Sequence, residues 1–199
     1  MTITTLYPDY DLTIYSASST SNLSSSTATA LWIGEDDTAS DEVGRGLFWF
    51  DMSSIPVTDV ITTAKLRLYI TADYCTNART WGVHRVLRAW VFEEATWEEY
   101  SSGNSWGSPG GNGVGDLEST GIGTCAFGTS DTGWKEFDIE PDRIKEMVTG
   151  AFTNNGFHVR VNSEVDDQYE IDRYFGTYPP ELYLIHGTSG RSFQSIVIG

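Results

Sequence analysis

Ala64-Lys65-Leu66-Arg67-Leu68-Tyr69-Ile70-Thr71 decides the fold class. Leu66, Leu68 and Ile70 alternate with Lys65, Arg67 and Tyr69. Successive side chains of a strand point to opposite faces, so this stretch predicts a strand with one buried and one wet face. Upstream, Arg45-Gly46-Leu47-Phe48-Trp49-Phe50-Asp51 is nearly all apolar, as a strand buried on both faces would be, and Ser53-Ser54-Ile55-Pro56 stops it. Shorter strands are expected at residues 11–15 and 30–34, separated by a Ser- and Thr-rich loop over 16–29 and followed by an acidic loop over 35–42.

Downstream, residues 80–90 and Trp134-Lys135-Glu136-Phe137-Asp138-Ile139 read as strands on either side of a long Gly-, Ser- and Trp-rich stretch over 100–132. Loops of that length are usually functional or packed on themselves. One helix is expected: Pro141 suits a first helical position, Ile144, Met147 and Val148 share a face, and Gly150 ends it. Asn155-Gly156 turns into the alternating strand Phe157-His158-Val159-Arg160-Val161, and residues 181–186 supply a last strand. Roughly eight to ten strands with one short helix predict an all-β antiparallel sandwich or jelly roll. Residues 1–187 are expected to form one domain. Residues 188–199 form an apolar tail behind the joint Gly187-Thr188-Ser189-Gly190.

Bulk composition narrows the function. Twenty-eight acids against 12 bases give a net charge of −16. Such a surface repels phosphate backbones and argues against nucleic-acid binding. No apolar run is long enough to span a bilayer, and residues 1–6 lack the basic and apolar pattern of a signal peptide. Synthesis in the cytoplasm is therefore expected. Cys75 and Cys125 are too few for a zinc cluster and form either one disulfide or two free thiols.

Several ordered pieces form a wider pattern. They include Phe48-Trp49-Phe50-Asp51-Met52-Ser53-Ser54-Ile55-Pro56, Val83-His84-Arg85-Val86, Trp90 with Thr96-Trp97, Gly103-Asn104-Ser105-Trp106, Tyr174-Phe175-Gly176 and Pro180-Glu181-Leu182-Tyr183. Over roughly residues 10–187 the chain resembles the DNRLRE domain, also classed as a carbohydrate-binding module. The resemblance implies a jelly roll without enzymatic activity, found in secreted, surface-layer and phage virion proteins, some members of which bind polysaccharides. With the tail, it points to a structural module on a virion surface or in an extracellular assembly, such as a head decoration or tail protein. The alternative is a carbohydrate-binding module for an extracellular or cell-surface polysaccharide.

No nucleophile elbow, metalloprotease motif or phosphate loop is present, so no catalytic residue is assigned. Glu93 and Glu94 could mimic glycosidase carboxylates, but as chain neighbours the two are expected to point apart. His84 and His158 are expected to be structural. Trp81, Tyr100 and Trp106 are the candidate sugar platforms, with burial of Trp106 under its own loop as the competing reading. Trp49, Trp90, Trp97 and Trp134 are expected to serve the core. Asp36, Asp37 and Asp41 could hold a structural calcium, although no cofactor is required. Phe193, Ile196, Val197 and Ile198 could dock as a strand on another copy or on another structural protein.

Overall fold

The computed structural model describes residues 1–20, 30–36, 42–165 and 167–188. Among the described residues the strands are β1 (Thr2–Leu6), β2 (Tyr10–Tyr15), β3 (Leu31–Glu35), β4 (Val43–Trp49), β5 (Asp59–Asp73), β6 (Arg79–Arg85), β7 (Glu99–Ser101), β8 (Asn104–Ser105), β9 (Gly123–Phe127), β10 (Gly133–Ile139), β11 (Phe157–Val161), β12 (Tyr169–Ile171) and β13 (Glu181–Thr188). The helix α1 (Pro141–Thr149) opens on Pro141 and ends at Gly150, whose φ of 75° caps it in the left-handed region.

The strands pair antiparallel, and one ring of eight closes on itself in the order β5, β10, β9, β6, β11, β4, β3, β12 and back to β5. The expected all-β antiparallel class with one short helix holds, but the strands do not form a clear sandwich: the ladder runs continuously round the molecule as a barrel-like sheet. The closure is possible because β5 is fifteen residues long. One edge serves β13 along Asp59–Arg67 and then β12 along Ile70–Asp73, while the other serves β10. β1 extends the sheet from β13, and β2 pairs with β4 outside the ring.

Inward-facing side chains fill the ring. Leu66, Leu68 and Ile70 of β5 meet Phe137, Phe157 and Phe48, and α1 contributes Ile144 and Met147. Trp81 stacks on Phe127 with ring centroids 4.6 Å apart. A smaller cluster lies on the other side of β2 and β4, where Leu12, Ile14 and Leu47 are covered by Val86, Ala95, Trp106 and Leu117. β4 therefore gives Phe48 to the ring's interior and Leu47 to the outer cluster, which explains its apolar run.

Two buried arginines tie the layers together. Arg173 and Asp11 are both fully buried, 3.3 Å apart, and the Tyr174 N–H also donates to Asp11. Burial pushes the Asp11 carboxyl up to about 6, with Arg173 and that N–H pulling the other way. Arg85 donates to Glu118 through Nε and Nη2 and to Glu146 of α1 through Nη1, with the Phe152 ring 3.6 Å from its carbon.

Candidate functional site

The outer faces of β2, β4, β11 and β6 form a floor. Residues paired across an antiparallel ladder share a face, so Tyr10 and Trp49, Leu12 and Leu47, Leu47 and His158, and His158 and His84 line up side by side. Residues 86–119 fold over this floor as a cap. Its N-terminal part turns at 92–94, where the Glu94 and Ala95 N–H groups donate to the Val91 carbonyl. Its C-terminal part is organised by Asp116, a buried carboxylate that accepts the N–H groups of Gly107, Ser108 and Gly113 at 2.7, 3.1 and 2.8 Å.

Gly110 joins cap to floor. Its carbonyl accepts Arg45 Nη1 at 2.9 Å and lies 3.2 Å from His158 Nε2, and its N–H donates to the Trp97 carbonyl. With φ at 76°, and with an added Cβ only 2.3 Å from Arg45 Nη1, only glycine fits there. His158 is completely buried. Burial, together with the cations Arg45 and Arg160, holds its imidazole well below the usual histidine range.

Where cap and floor diverge, an open cleft of about 420 Å³ is lined by Tyr10, Trp49, Trp90, Phe92 and the carboxylates Glu93 and Glu94. Tyr10 lies 5.9 Å from Trp49 and 5.1 Å from Phe92, centroid to centroid. The indole N–H groups of Trp49 and Trp90 donate to the carbonyls of Asn154 and Asn155, at 3.0 and 2.7 Å. These bonds fix two rings edge-on to the turn before β11, with both side chains only partly buried. Glu94 Oε2 accepts the Ser102 N–H at 2.8 Å, while Glu93 is exposed at the rim.

Few of the residues singled out from sequence lie here. Trp81 is fully buried inside the ring and Trp106 is 5% exposed, its Nε1–H donating to the Thr96 carbonyl. Neither ring offers a face to a ligand: Trp81 is corrected as a platform, and Trp106 takes the competing reading, buried under its own loop. Tyr100 is half-buried on β7, edge-on to Trp106 and with the Arg88 guanidinium over its ring. Trp49 and Trp90, expected in the core, line the cleft. Trp134 lies on the outer face of β10 against Arg67.

Asp36 accepts the Tyr15 hydroxyl at 3.1 Å and shares it with Glu42, which raises the Tyr15 pKa after burial has already done so. Asp37 and Asp41 lie outside the described residues, as do Phe193, Ile196, Val197 and Ile198. Among the described residues, no three His, Cys, Asp or Glu side chains converge on a metal position. Cys75 and Cys125 are free thiols, so no disulfide joins them. No helix of the described residues is long and apolar enough to cross a membrane.

No curated protein matches the chain. A family model does, the disaggregatase related repeat domain, over residues 13–175. That match overturns the resemblance to the DNRLRE domain. The segments behind the resemblance are strands, turns and cap anchors, which report a β architecture and not a particular family. The matched region takes in Trp49, the cap and the whole ring of eight strands, and the chain belongs to the disaggregatase related repeat family.

Proposed function

We propose that this chain is a polysaccharide-binding domain whose cleft between Tyr10, Trp49, Trp90 and Phe92 receives part of a glycan strand. The supporting observation is the cleft itself: four partly exposed rings, two of them fixed through their indole N–H groups, with two carboxylates at the rim. The C–H faces of a pyranose are apolar and bury well against such rings, and carboxylates accept its hydroxyls. The closed sheet is read as a jelly-roll variant, which provides the floor. The family's name refers to disaggregation and to a repeat, so the domain is read as holding material that a disaggregating enzyme acts on. Glu93 and Glu94 are assigned to binding and not to hydrolysis. The surface-assembly reading rests on Phe193 and residues 196–198, and nothing in the cleft adds to it.

Affinity electrophoresis through neutral and acidic polysaccharides tests the proposal. At least one polymer is expected to retard the chain. Tyr10→Ala and Phe92→Ala should each weaken retardation about tenfold, equivalent to about 1.4 kcal/mol, with unchanged thermal unfolding and no release of reducing sugar. No retardation by any polymer, or wild-type retardation of both variants, would overturn it.

A further inference from the structure

The same floor carries a second, smaller opening. A pocket of about 190 Å³ lies between the β6–β11 ladder and residues 112–119 of the cap, with Arg160, His84, Asn112, Leu117, Glu118 and Ser119 around it. Arg160 stands opposite Gly82 in the ladder, so no side chain covers it from β6.

Arg160 is unusual in this molecule. The other seven described arginines each reach a carboxylate. Among the described residues Arg160 forms no ion pair. Its one hydrogen bond runs from Nη1 to the neutral Asn112 Oδ1 at 2.5 Å, and its Nε is buried without a partner. The chain has 28 acids with which to neutralise 12 bases, so an uncompensated, half-buried guanidinium in a pocket is a specific exception. Glu118 does not supply the missing charge, because both its oxygens are taken by Arg85, and Arg143 approaches at 3.4 Å. Glu164 acts on Arg160 through space but is bound to Arg45 through Arg45 Nε and Nη2.

His84 completes the site. Its Nδ1 is 3.2 Å from the Glu118 carbonyl oxygen, which makes Nδ1 the protonated nitrogen and leaves Nε2 as an acceptor. Arg160 thus offers charged donors, and His84 offers an acceptor for a neighbouring hydroxyl. We propose that this pocket binds an anionic sugar unit, with the guanidinium of Arg160 pairing to its carboxylate or sulfate and His84 taking an adjacent hydroxyl. The inference deepens the polysaccharide-binding reading and rests on it: the cleft would hold the strand, and this pocket would select strands carrying acidic units.

The test uses the full chain with galacturonic acid, galactose 6-sulfate and neutral galactose as probes, followed by NMR of the His84 ring. Burial and the Arg160 charge hold the His84 pKa below the usual value. An anion on Arg160 cancels that charge, so a charged sugar should raise the His84 pKa while galactose leaves it in place. Galacturonic acid against the sulfate distinguishes the two anions. Arg160→Gln, which retains a donor for Asn112, should weaken the charged sugars about tenfold or more, and His84→Gln should weaken them less. If neither charged sugar moves His84, or if Arg160→Gln binds as wild type, the pocket is not an anion site. The two proposals fail separately. Polymer retardation lost in Tyr10→Ala, with no response at His84, would leave only the cleft. A response at His84 with no polymer retained would leave only the pocket.

Discussion

Asp116→Asn keeps the shape of the side chain on which the cap is folded and removes its charge. Oδ1 accepts the Gly107 N–H and lies 3.3 Å from Arg88 Nε, while Oδ2 accepts the N–H groups of Ser108 and Gly113. An asparagine has one acceptor oxygen. Whichever way the amide lies, its NH2 faces backbone donors: two are lost if it replaces Oδ2, or one together with the Arg88 contact if it replaces Oδ1. Hydrogen bonds to a charged acceptor contribute about 1.5–3 kcal/mol each, so the substitution should cost about 3 kcal/mol. The cap cannot re-form around the amide cheaply, because a Cβ on Gly113 would lie 2.5 Å from the Gly107 carbonyl carbon and the chain is already in close contact there. The cost should therefore appear as local opening of the cap, with the ring of strands intact. Amide hydrogen exchange at Gly107 and Gly113 should accelerate by roughly two orders of magnitude. Trp106 fluorescence should shift to the red as its ring leaves the outer cluster. Wild-type exchange at both glycines, together with an unchanged urea midpoint, would refute the role given to Asp116.

Two further outcomes follow from burial. The His158 pKa lies well below 6.5 in the folded chain, so below about pH 6.5 the unfolded chain binds a proton that the folded one refuses, and stability falls with pH by up to about 1.4 kcal/mol per unit. Asp11 works in the opposite sense between about pH 6 and 4, so the His158 contribution should be read as the difference in slope between wild type and His158→Gln in urea unfolding at pH 5–7. The Cys75 thiol is pushed up to about 12 by burial and the Cys125 thiol is raised for the same reason, so both should resist iodoacetamide at pH 8 in the folded chain and react fully in urea; rapid labelling of the native protein would contradict their placement.

Alternation made β5 legible, and an apolar run made β4 legible as a strand with two buried faces. Both signals are local consequences of the two-residue period of a strand. The same period contained the evidence against Trp81 as a platform. Thr80 and Gly82 flank it, but in a strand those neighbours face the other way, and Trp81 shares its face with Val83 in the core. Burial of Trp106 under its own loop was open to a sequence reading as well: glycines let the chain fold across a ring, and Gly111 lies against the Trp106 ring. Thr2-Ile3-Thr4-Thr5-Leu6 carried the β-branched composition of β1 and was open to a sequence reading, whereas three-residue β12 left almost no pattern. Closure of the ring was not legible, because it depends on β5 meeting β12, more than ninety residues away in the chain. The cleft was hidden for the same reason: Tyr10, Trp49 and Trp90 are ordinary aromatics until register and cap bring them together.

The charge distribution makes an acidic ligand behave differently here than on a basic surface. The molecule carries −16 overall, and all described bases but Arg160 are engaged with carboxylates or, for Lys145, with the carbonyls of Val57 and Asp59. A polyanion approaching the chain therefore meets a repulsive long-range field and an attractive site of very short range. Salt screens the first over a Debye length that shrinks from about 30 Å at 0.01 M to about 8 Å at 0.15 M, and it screens a contact inside a half-buried pocket much less. Raising ionic strength across that range should strengthen binding of an acidic polysaccharide, mainly by speeding association, before higher salt weakens it. A basic patch gives the opposite trend, with affinity falling steadily as counterions compete. Stopped-flow association with polygalacturonate in wild type and Arg160→Gln separates the contributions: both should associate faster as salt rises to 0.15 M, and only the wild type should dissociate slowly. A rate that falls steadily with salt in the wild type would mean that anions are captured by a field this chain does not possess, and the pocket would lose its explanation.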